Sequence, residues 1–476
     1  MASLKSLAKD TAIYGLSSIV GRFLNYLLVP LYTHYMPKDS GDYGVSVNMY
    51  AYTALALVIL TFGMETTLFR FANKEDEKPD TVFSTAFATV ATLCVLFAAG
   101  IFGFITPICD SLGYSDHQEY VLMMAAVVVL DALQALPFSY LRFQKRPIKF
   151  ASLKMLFIVF NIALNVLYFM ILGKTEVFYV FCINLWCTGI ITFFFIPDLF
   201  RIKWQFDLSL LKRMFKYSWP ILVLGVAGIL NQTADKIIFP LVCSEADAKA
   251  QLGVYGACVK IAMIMAMITQ AFRYAYEPIV FAKNKDKDSK EYYALAMKYF
   301  LIFTLLAFLG VMGYMDILQR IIGAEYREGL KCVPIVMAAE IMMGVYFNLS
   351  FWYKLIDKTI WGAWFSLAGC AVLVAINVIF IPEYGYMACA WGGFAGYATS
   401  MVLSYIVGQV KNPIPYAMGS IMTYVLIASL FFAIMSYLPS FIDSPIARMG
   451  INTLLIIAFL AHIVYHEKIL SFVRRR

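Results

Sequence analysis

The sequence predicts an all-α integral membrane protein of about fourteen transmembrane helices, arranged as two six-helix lobes with two further helices after them. Three observations carry this. Of 476 residues, 62% are hydrophobic and only 14% charged, whereas soluble domains hold about 45–50% and about 25%. The apolar residues gather into stretches that match the length of about 20 residues needed to cross a hydrocarbon core of about 30 Å. Lys and Arg, finally, collect in every second connection between those stretches, the mark of a fixed orientation across a bilayer.

The stretches run roughly over residues 9–35, 41–70, 81–107, 120–142, 149–172, 177–199, 217–242, 252–281, 293–315, 332–354, 360–381, 385–409, 415–437 and 447–465. Each should be a helix, because hydrocarbon offers no partner to a backbone amide left outside its own segment. The first is too long for a cleavable signal peptide, holds Arg22 and lacks a small-residue cleavage site, so it should remain as a helix. Within the spans, Gly15, Gly21, Gly225 and Gly228 permit close packing or bending, and Pro30, Pro220, Pro240 and Pro278 mark expected kinks. Of the 38 Lys and Arg residues, 24 fall on the side of the first segment and 7 on the other. Positive residues resist translocation, so both termini are expected in the cytoplasm, as an even number of crossings requires.

Composition also narrows the chemistry. The nine cysteines show no CxxC spacing and sit mostly in apolar runs, where they read as small hydrophobes. His34, His117, His462 and His466 never approach a ligand spacing, so no metal site is expected. The net charge of +8 follows from topology and predicts no nucleic-acid partner. Basic clusters such as Arg142, Lys145, Arg146 and Lys149 are read as topological anchors, with contact to anionic lipid as the second reading.

An internal repeat organises the spans. Phe71-Ala72-Asn73-Lys74-Glu75-Asp76 corresponds to Phe281-Ala282-Lys283-Asn284-Lys285-Asp286, and Pro30-Leu31 to Pro240-Leu241, both at an offset of 210. Tyr43-Gly44 matches Tyr255-Gly256 at 212. Six crossings return the chain to its starting side, so two such units share an orientation and are related by an axis along the membrane normal. Residues 1–210 and 211–412 are therefore the expected lobes, and 413–476 the two additional helices with a basic tail.

Charge inside spans is costly, about 2.5–3.5 kcal/mol for Arg, Lys or Asp at a helix centre. It concentrates in the first, second, seventh and eighth spans: Arg22 and Asn25; Glu65 and Arg70; Asp235 and Lys236; Lys260, Arg273 and Glu277. A cationic surface turned toward an anionic head group is the functional reading, with Arg22 foremost because no carboxylate lies within a turn or two of it. Glu65, Asp235, Lys236 and Glu277 suit either ion coupling or structural pairs: Glu65 with Arg70, Asp235 with Lys236, and Arg273 with Glu277. Asp131, Gln134 and Glu340 could relay ions or protons, or bond a neighbouring helix backbone.

At Gly21-Arg22-Phe23-Leu24-Asn25, Leu28-Val29-Pro30-Leu31-Tyr32-Thr33 and Gly41-Asp42-Tyr43-Gly44-Val45, the sequence resembles the amino-terminal region of bacterial Wzx-type polysaccharide (O-antigen) flippases. These belong to the multidrug, oligosaccharidyl-lipid and polysaccharide exporter superfamily. The resemblance implies a non-enzymatic, alternating-access flippase of the bacterial inner membrane. Its partner would be an undecaprenyl-diphosphate-linked oligosaccharide, moved from the cytoplasmic to the outer leaflet for lipopolysaccharide and other surface glycans. It further implies association with a polysaccharide polymerase or glycosyltransferases, no cofactor, and coupling to Na+ or H+. Related lipid II flippases carry cationic residues in the first, second and eighth helices, and Arg22, Arg70 and Arg273 are the matching positions here. A cation-coupled multidrug exporter is the nearest alternative, kept open by Asp235. A membrane glycosyltransferase or ligase fits less well, since the longer outer loops near 108–119 and 316–331 leave no room for a catalytic domain.

Overall fold

A computed structural model describes residues 26–243, 247–283, 289–356 and 358–467, the side chains of 274, 275, 277–279 and 281–283 excepted. Among the described residues every regular element is a helix, with no strand. In chain order the principal helices are α1 (Leu28–Tyr35), α2 (Asp42–Thr61), α3 (Met64–Ala72), α4 (Pro79–Gly103), α5 (Ile105–Leu112), α6 (Gln118–Phe143), α7 (Pro147–Val166) and α8 (Val177–Leu199). There follow α9 (Leu208–Val242), α10 (Ala248–Lys283), α11 (Ser289–Gly313), α12 (Val333–Leu349), α13 (Ile360–Tyr384), α14 (Tyr386–Lys411), α15 (Met418–Tyr437) and α16 (Pro445–His466).

Twelve helices among the described residues are long and apolar enough to cross a membrane, so this is a multi-pass membrane protein. The expected count of fourteen is not reached for two different reasons. The first span lies mostly outside the described residues, with α1 as its described end. The span expected at 385–409 forms α14, a helix of 26 residues, but Gly392, Gly393, Gly396, Thr399 and Ser400 dilute its hydropathy. Those small residues serve packing instead. A Cβ on Gly369 of α13 would meet Ser400 Oγ at 2.2 Å and the Gly396 carbonyl at 2.6 Å, so the two helices approach backbone to backbone.

The chain packs as two compact units, one holding residues up to Gly253 with Asn377–Tyr386, the other Val254–Ile376 and Met387 onward. In the first, α6 is the central helix, packed against α2, α4 and α8, while α9 lies along α2 and α3. The second predicted span is one crossing made of two helices. Phe62 and Gly63 both adopt left-handed backbone, φ 49° and 67°, which ends α2 and restarts the chain as α3. Gly63 is required twice over, because a side chain there would press on Ile221 at 3.0 Å and on the Ser218 carbonyl at 3.2 Å.

In the other unit, α11 gathers α12, α15 and α16 around it. The last two helices, which the repeat left unassigned, are fastened by polar contacts. Arg448 grips the Asp316 carboxylate at 2.9 and 3.1 Å, Asn452 donates to the Gly313 carbonyl at 2.8 Å, and Lys298 pairs with Glu467.

The start of α9 is capped by Asp207, whose Oδ1 accepts from the backbone amides of Ser209 at 2.7 Å and Leu210 at 3.1 Å. The Ser209 hydroxyl and then those amides hold the carboxyl below its usual range. A depressed carboxyl stabilises above its unfolded pKa, about 3.9, and loses that contribution as pH falls through the folded value. Asp207→Ala should therefore melt below the parent at pH 7 in detergent, and the gap should close in acid.

Candidate functional site

The polar groups of the second and seventh spans meet along the packed faces of α2, α3 and α9. Pro240 has no N–H and cannot act as the donor to the Lys236 carbonyl four residues earlier. Asn48 of α2 supplies one, donating from Nδ2 at 2.7 Å. Its Oδ1 in turn accepts the Tyr114 hydroxyl at 2.9 Å. One buried amide therefore satisfies a proline-broken helix and anchors a loop tyrosine. Asn48→Ala would strand both groups, at about 1–3 kcal/mol, and should lower the melting temperature in detergent, whereas Asn48→Gln should keep part of the loss away.

Asp235 and Lys236 form an ion pair, with Nζ 3.0 Å from both carboxylate oxygens. A third bond from Nζ reaches the Gln232 carbonyl at 2.9 Å. Glu65 does not pair with Arg70, as sequence proximity suggested. It turns toward α6, accepting from Ser139 Oγ at 3.1 Å and standing 3.7 Å from Arg142. Arg70 faces the other way, its guanidinium 4.0 Å above the Tyr217 ring on α9, and its side chain stays exposed. A guanidinium resting on a ring is positioned while its donors remain available, the arrangement that suits bidentate capture of a phosphate.

In the other unit, Arg273 of α10 lies 4.6 Å from the Phe347 ring centroid. It shares a narrow groove between α10 and α12 with Phe272, Tyr276, Asn348 and Lys354. Lys260 is half-buried on the same helix, nearly four turns earlier. Arg22 and Asn25 lie outside the described residues, as does the Glu277 side chain, so the Arg273–Glu277 pairing falls there too.

Sequence reasoning missed a second polar zone inside the first unit. Tyr32 donates to Asn165 Oδ1 at 2.8 Å, Asn165 donates to the Asn161 carbonyl at 2.8 Å, and Asn184 donates to the Tyr50 hydroxyl at 3.0 Å. Gln134 bonds the Thr188 carbonyl at 2.9 Å and Thr192 Oγ1 at 2.7 Å, which is the helix-bonding alternative for that residue. The available signal was two asparagines at helical spacing, 161 and 165, in the apolar second half of a span. Among the described residues, no group of three or more His, Cys, Asp or Glu is placed to hold a metal ion.

Residues 39–330 match the family described as polysaccharide biosynthesis protein. No curated protein sequence matches the chain. Among solved structures, the fold is similar to lipid II flippase MurJ in an inward closed conformation, with a TM-score of 0.76 and 14% identity over 96% of this chain and 99% of that one. It is also similar to an inward-facing multidrug resistance MATE family transporter of the MOP superfamily. There the TM-score is 0.68 and the identity 13%, over 82% of this chain and 94% of that one.

Proposed function

The chain belongs to the polysaccharide biosynthesis protein family, and from that premise we propose that it is a flippase for lipid-linked oligosaccharide. The family match is the observation that carries the reading. The shared fold with a lipid II flippase supports it, because that protein's cargo is likewise a lipid. The substrate class is a polyprenyl diphosphate, of the undecaprenyl type, bearing a short glycan. Its place of work is the bacterial inner membrane, with both termini in the cytoplasm, as the 24 to 7 division of Lys and Arg favours.

In this reading residues 1–210 and 211–412 act as two lobes that rock about a cleft, and residues 413–476 add the last two helices. Arg22 compensates the diphosphate, Asn25 is a further polar contact, and Arg70, Lys260 and Arg273 are further cationic contacts. The Asp235–Lys236 pair keeps α9 neutral where it would otherwise add an isolated charge. A dianionic head group is moved outward with help from an inside-negative potential, worth about 2.3 kcal/mol per unit charge per 100 mV. The glycan follows through the water-filled side while the prenyl tail stays in lipid. Enzymes that assemble and polymerise the glycan are the natural partners, since flipping neither makes nor breaks a sugar bond.

The MATE-like fold gives a specific reason to keep a second reading, export of cationic drugs coupled to Na+ or H+. One experiment separates them. Deleting the gene should abolish surface polysaccharide and leave sensitivity to cationic dyes unchanged; unchanged polysaccharide with raised dye sensitivity would favour the exporter.

A further inference from the structure

Where α4 begins and α6 and α8 end, the first unit holds a cavity of about 80 Å3. A space of about 10–15 Å3 admits one water-sized group, so the cavity takes about five to eight of them, the size of a small polar head group. Phe83, Leu141, Phe195 and Leu199 supply its apolar lining, and its charges come from Asp80 of α4, Arg146 of the α6–α7 turn, Asp198 of α8 and Arg201 just after that helix.

Each charge is held in place. The Tyr140 hydroxyl donates to Asp80 Oδ1 at 2.7 Å, while Asp80 Oδ2 has no partner among the described residues. Asp198 accepts from Arg146 at 3.0 Å and from Lys149 as well. Arg201 spends its backbone amide on the Asp198 carbonyl at 3.1 Å, and its guanidinium makes no hydrogen bond or ion pair among the described residues. The loop that carries Arg201 is fastened to α4. Thr81 donates to Gln205 at 3.1 Å, Trp204 packs edge to face against Phe83 and Phe87, and the Asp207 amide donates to Thr85 Oγ1 at 3.3 Å.

The balance of charge describes the guest. Arg146, Lys149 and Arg201 set three positive charges against the one negative charge of Asp198. Asp80 pairs with no Lys or Arg among the described residues. A simple anion would leave Asp80 without a counter-charge, and a simple cation would do the same to the arginines. A guest bearing both a phosphate and a protonated amine satisfies the two together. Its depth is that of lipid head groups, because the cavity lies at the ends of membrane-length helices. The loop around Arg201 also presents Phe200 and Phe206, 85% and 58% exposed, and aromatic side chains beside basic ones gather at the bilayer interface.

We propose that this cavity binds the head group of an amine-bearing phospholipid of the phosphatidylethanolamine class, its phosphate on Arg201 and Arg146 and its ammonium on Asp80 Oδ2. The planar fork of arginine suits two phosphate oxygens. An ammonium with three N–H groups gives Asp80 a donor, which a trimethylated amine lacks. A glycerol head group brings the phosphate but no charge for Asp80. The site shares no residue with the contacts proposed for the transported diphosphate, and it stands whether or not the chain is a flippase.

Thermal melting of the full chain, stripped of lipid in detergent and titrated with dioleoyl phospholipids, tests this. Phosphatidylethanolamine should raise the melting temperature saturably. Its half-saturating concentration should lie at least about tenfold below that of phosphatidylcholine or phosphatidylglycerol, the effect of about one charge-assisted hydrogen bond. Asp80→Asn keeps an acceptor for Tyr140 and should bring the ethanolamine lipid to the level of the choline lipid, whereas Arg201→Gln should weaken all three alike. On the parent alone, adding one, two and three N-methyl groups to the ethanolamine lipid should weaken binding step by step, which decides the matter even if Asp80→Asn does not fold. Glycerophosphoethanolamine, the same head group without acyl chains, should compete at least about tenfold more weakly; equal competition would make the guest a soluble phosphodiester and overturn the lipid assignment. Equal half-saturation by ethanolamine and choline lipids, tighter binding of phosphatidylglycerol, or a preference that survives in Asp80→Asn overturns the site.

Discussion

Arg22→Ala is expected to slow flipping of a prenyl-diphosphate oligosaccharide in proteoliposomes by about ten- to hundredfold, with the purified protein still folded and monodisperse. The size follows from the proposed role. An arginine that holds a diphosphate contributes charge-assisted hydrogen bonds worth about 1.5–3 kcal/mol, and each 1.36 kcal/mol of barrier is about tenfold in rate. Arg22→Lys should recover part of the rate, since the charge is kept and the planar fork is lost. Arg70→Ala and Arg273→Ala, whose guanidinium groups lie over the Tyr217 and Phe347 rings, should each cost less, because in this reading they are further contacts that share the head-group charge while Arg22 carries the larger part. An Arg22→Ala protein that flips at the parental rate would remove that residue from the mechanism.

Gly44→Val is expected to produce the largest loss of stability of any single change in the first unit. A Cβ at this position would stand 1.7 Å from the Lys249 carbonyl oxygen and 2.9 Å from the Gly253 amide. The obstacle is backbone of α10, which cannot rotate aside, so α2 and the first turns of α10 must separate. Forcing atoms into a packed contact costs about 1–3 kcal/mol and sometimes more. The separation would also expose the packed faces of both helices. Thermal melting in detergent should show the drop, and Gly44→Ala should already show most of it. Neighbouring Gly41 is held for a different reason, a left-handed backbone at φ 70° before α2 begins. The segment Gly41-Asp42-Tyr43-Gly44-Val45, which carries part of the resemblance, thus has a local physical explanation: a turn that needs one glycine and a helix contact that needs another.

Much of the architecture was legible because a bilayer allows few solutions. Long apolar segments must be helices, and among the described residues twelve of the expected spans are long and apolar enough to cross a membrane; the first expected span lies mostly outside those residues, and α14 forms where a helix was expected but its small residues lower its hydropathy. What could not be read was the direction in which a polar side chain turns. Glu65 and Arg70 are five residues apart and looked like partners, but five residues is about 500° of helical rotation, which sends them to different neighbours. Asp235 and Lys236 do pair, because adjacent side chains on a helix near Pro240 can reach each other across one residue. Asn48 was equally silent. Its role depends on a carbonyl freed by Pro240, 192 positions away in the chain, and only the packing of α2 on α9 brings the two together.

The most direct test of the account sets two fluorescent lipids against each other in the same proteoliposomes: one prenyl-linked sugar joined through a diphosphate, the other through a neutral linker of equal length. If cationic side chains inside the membrane exist to accompany a negatively charged head group, the parent protein should flip the first at least tenfold faster than the second, and Arg22→Ala should erase the preference. Equal rates for both lipids, or a preference that survives Arg22→Ala, would contradict it.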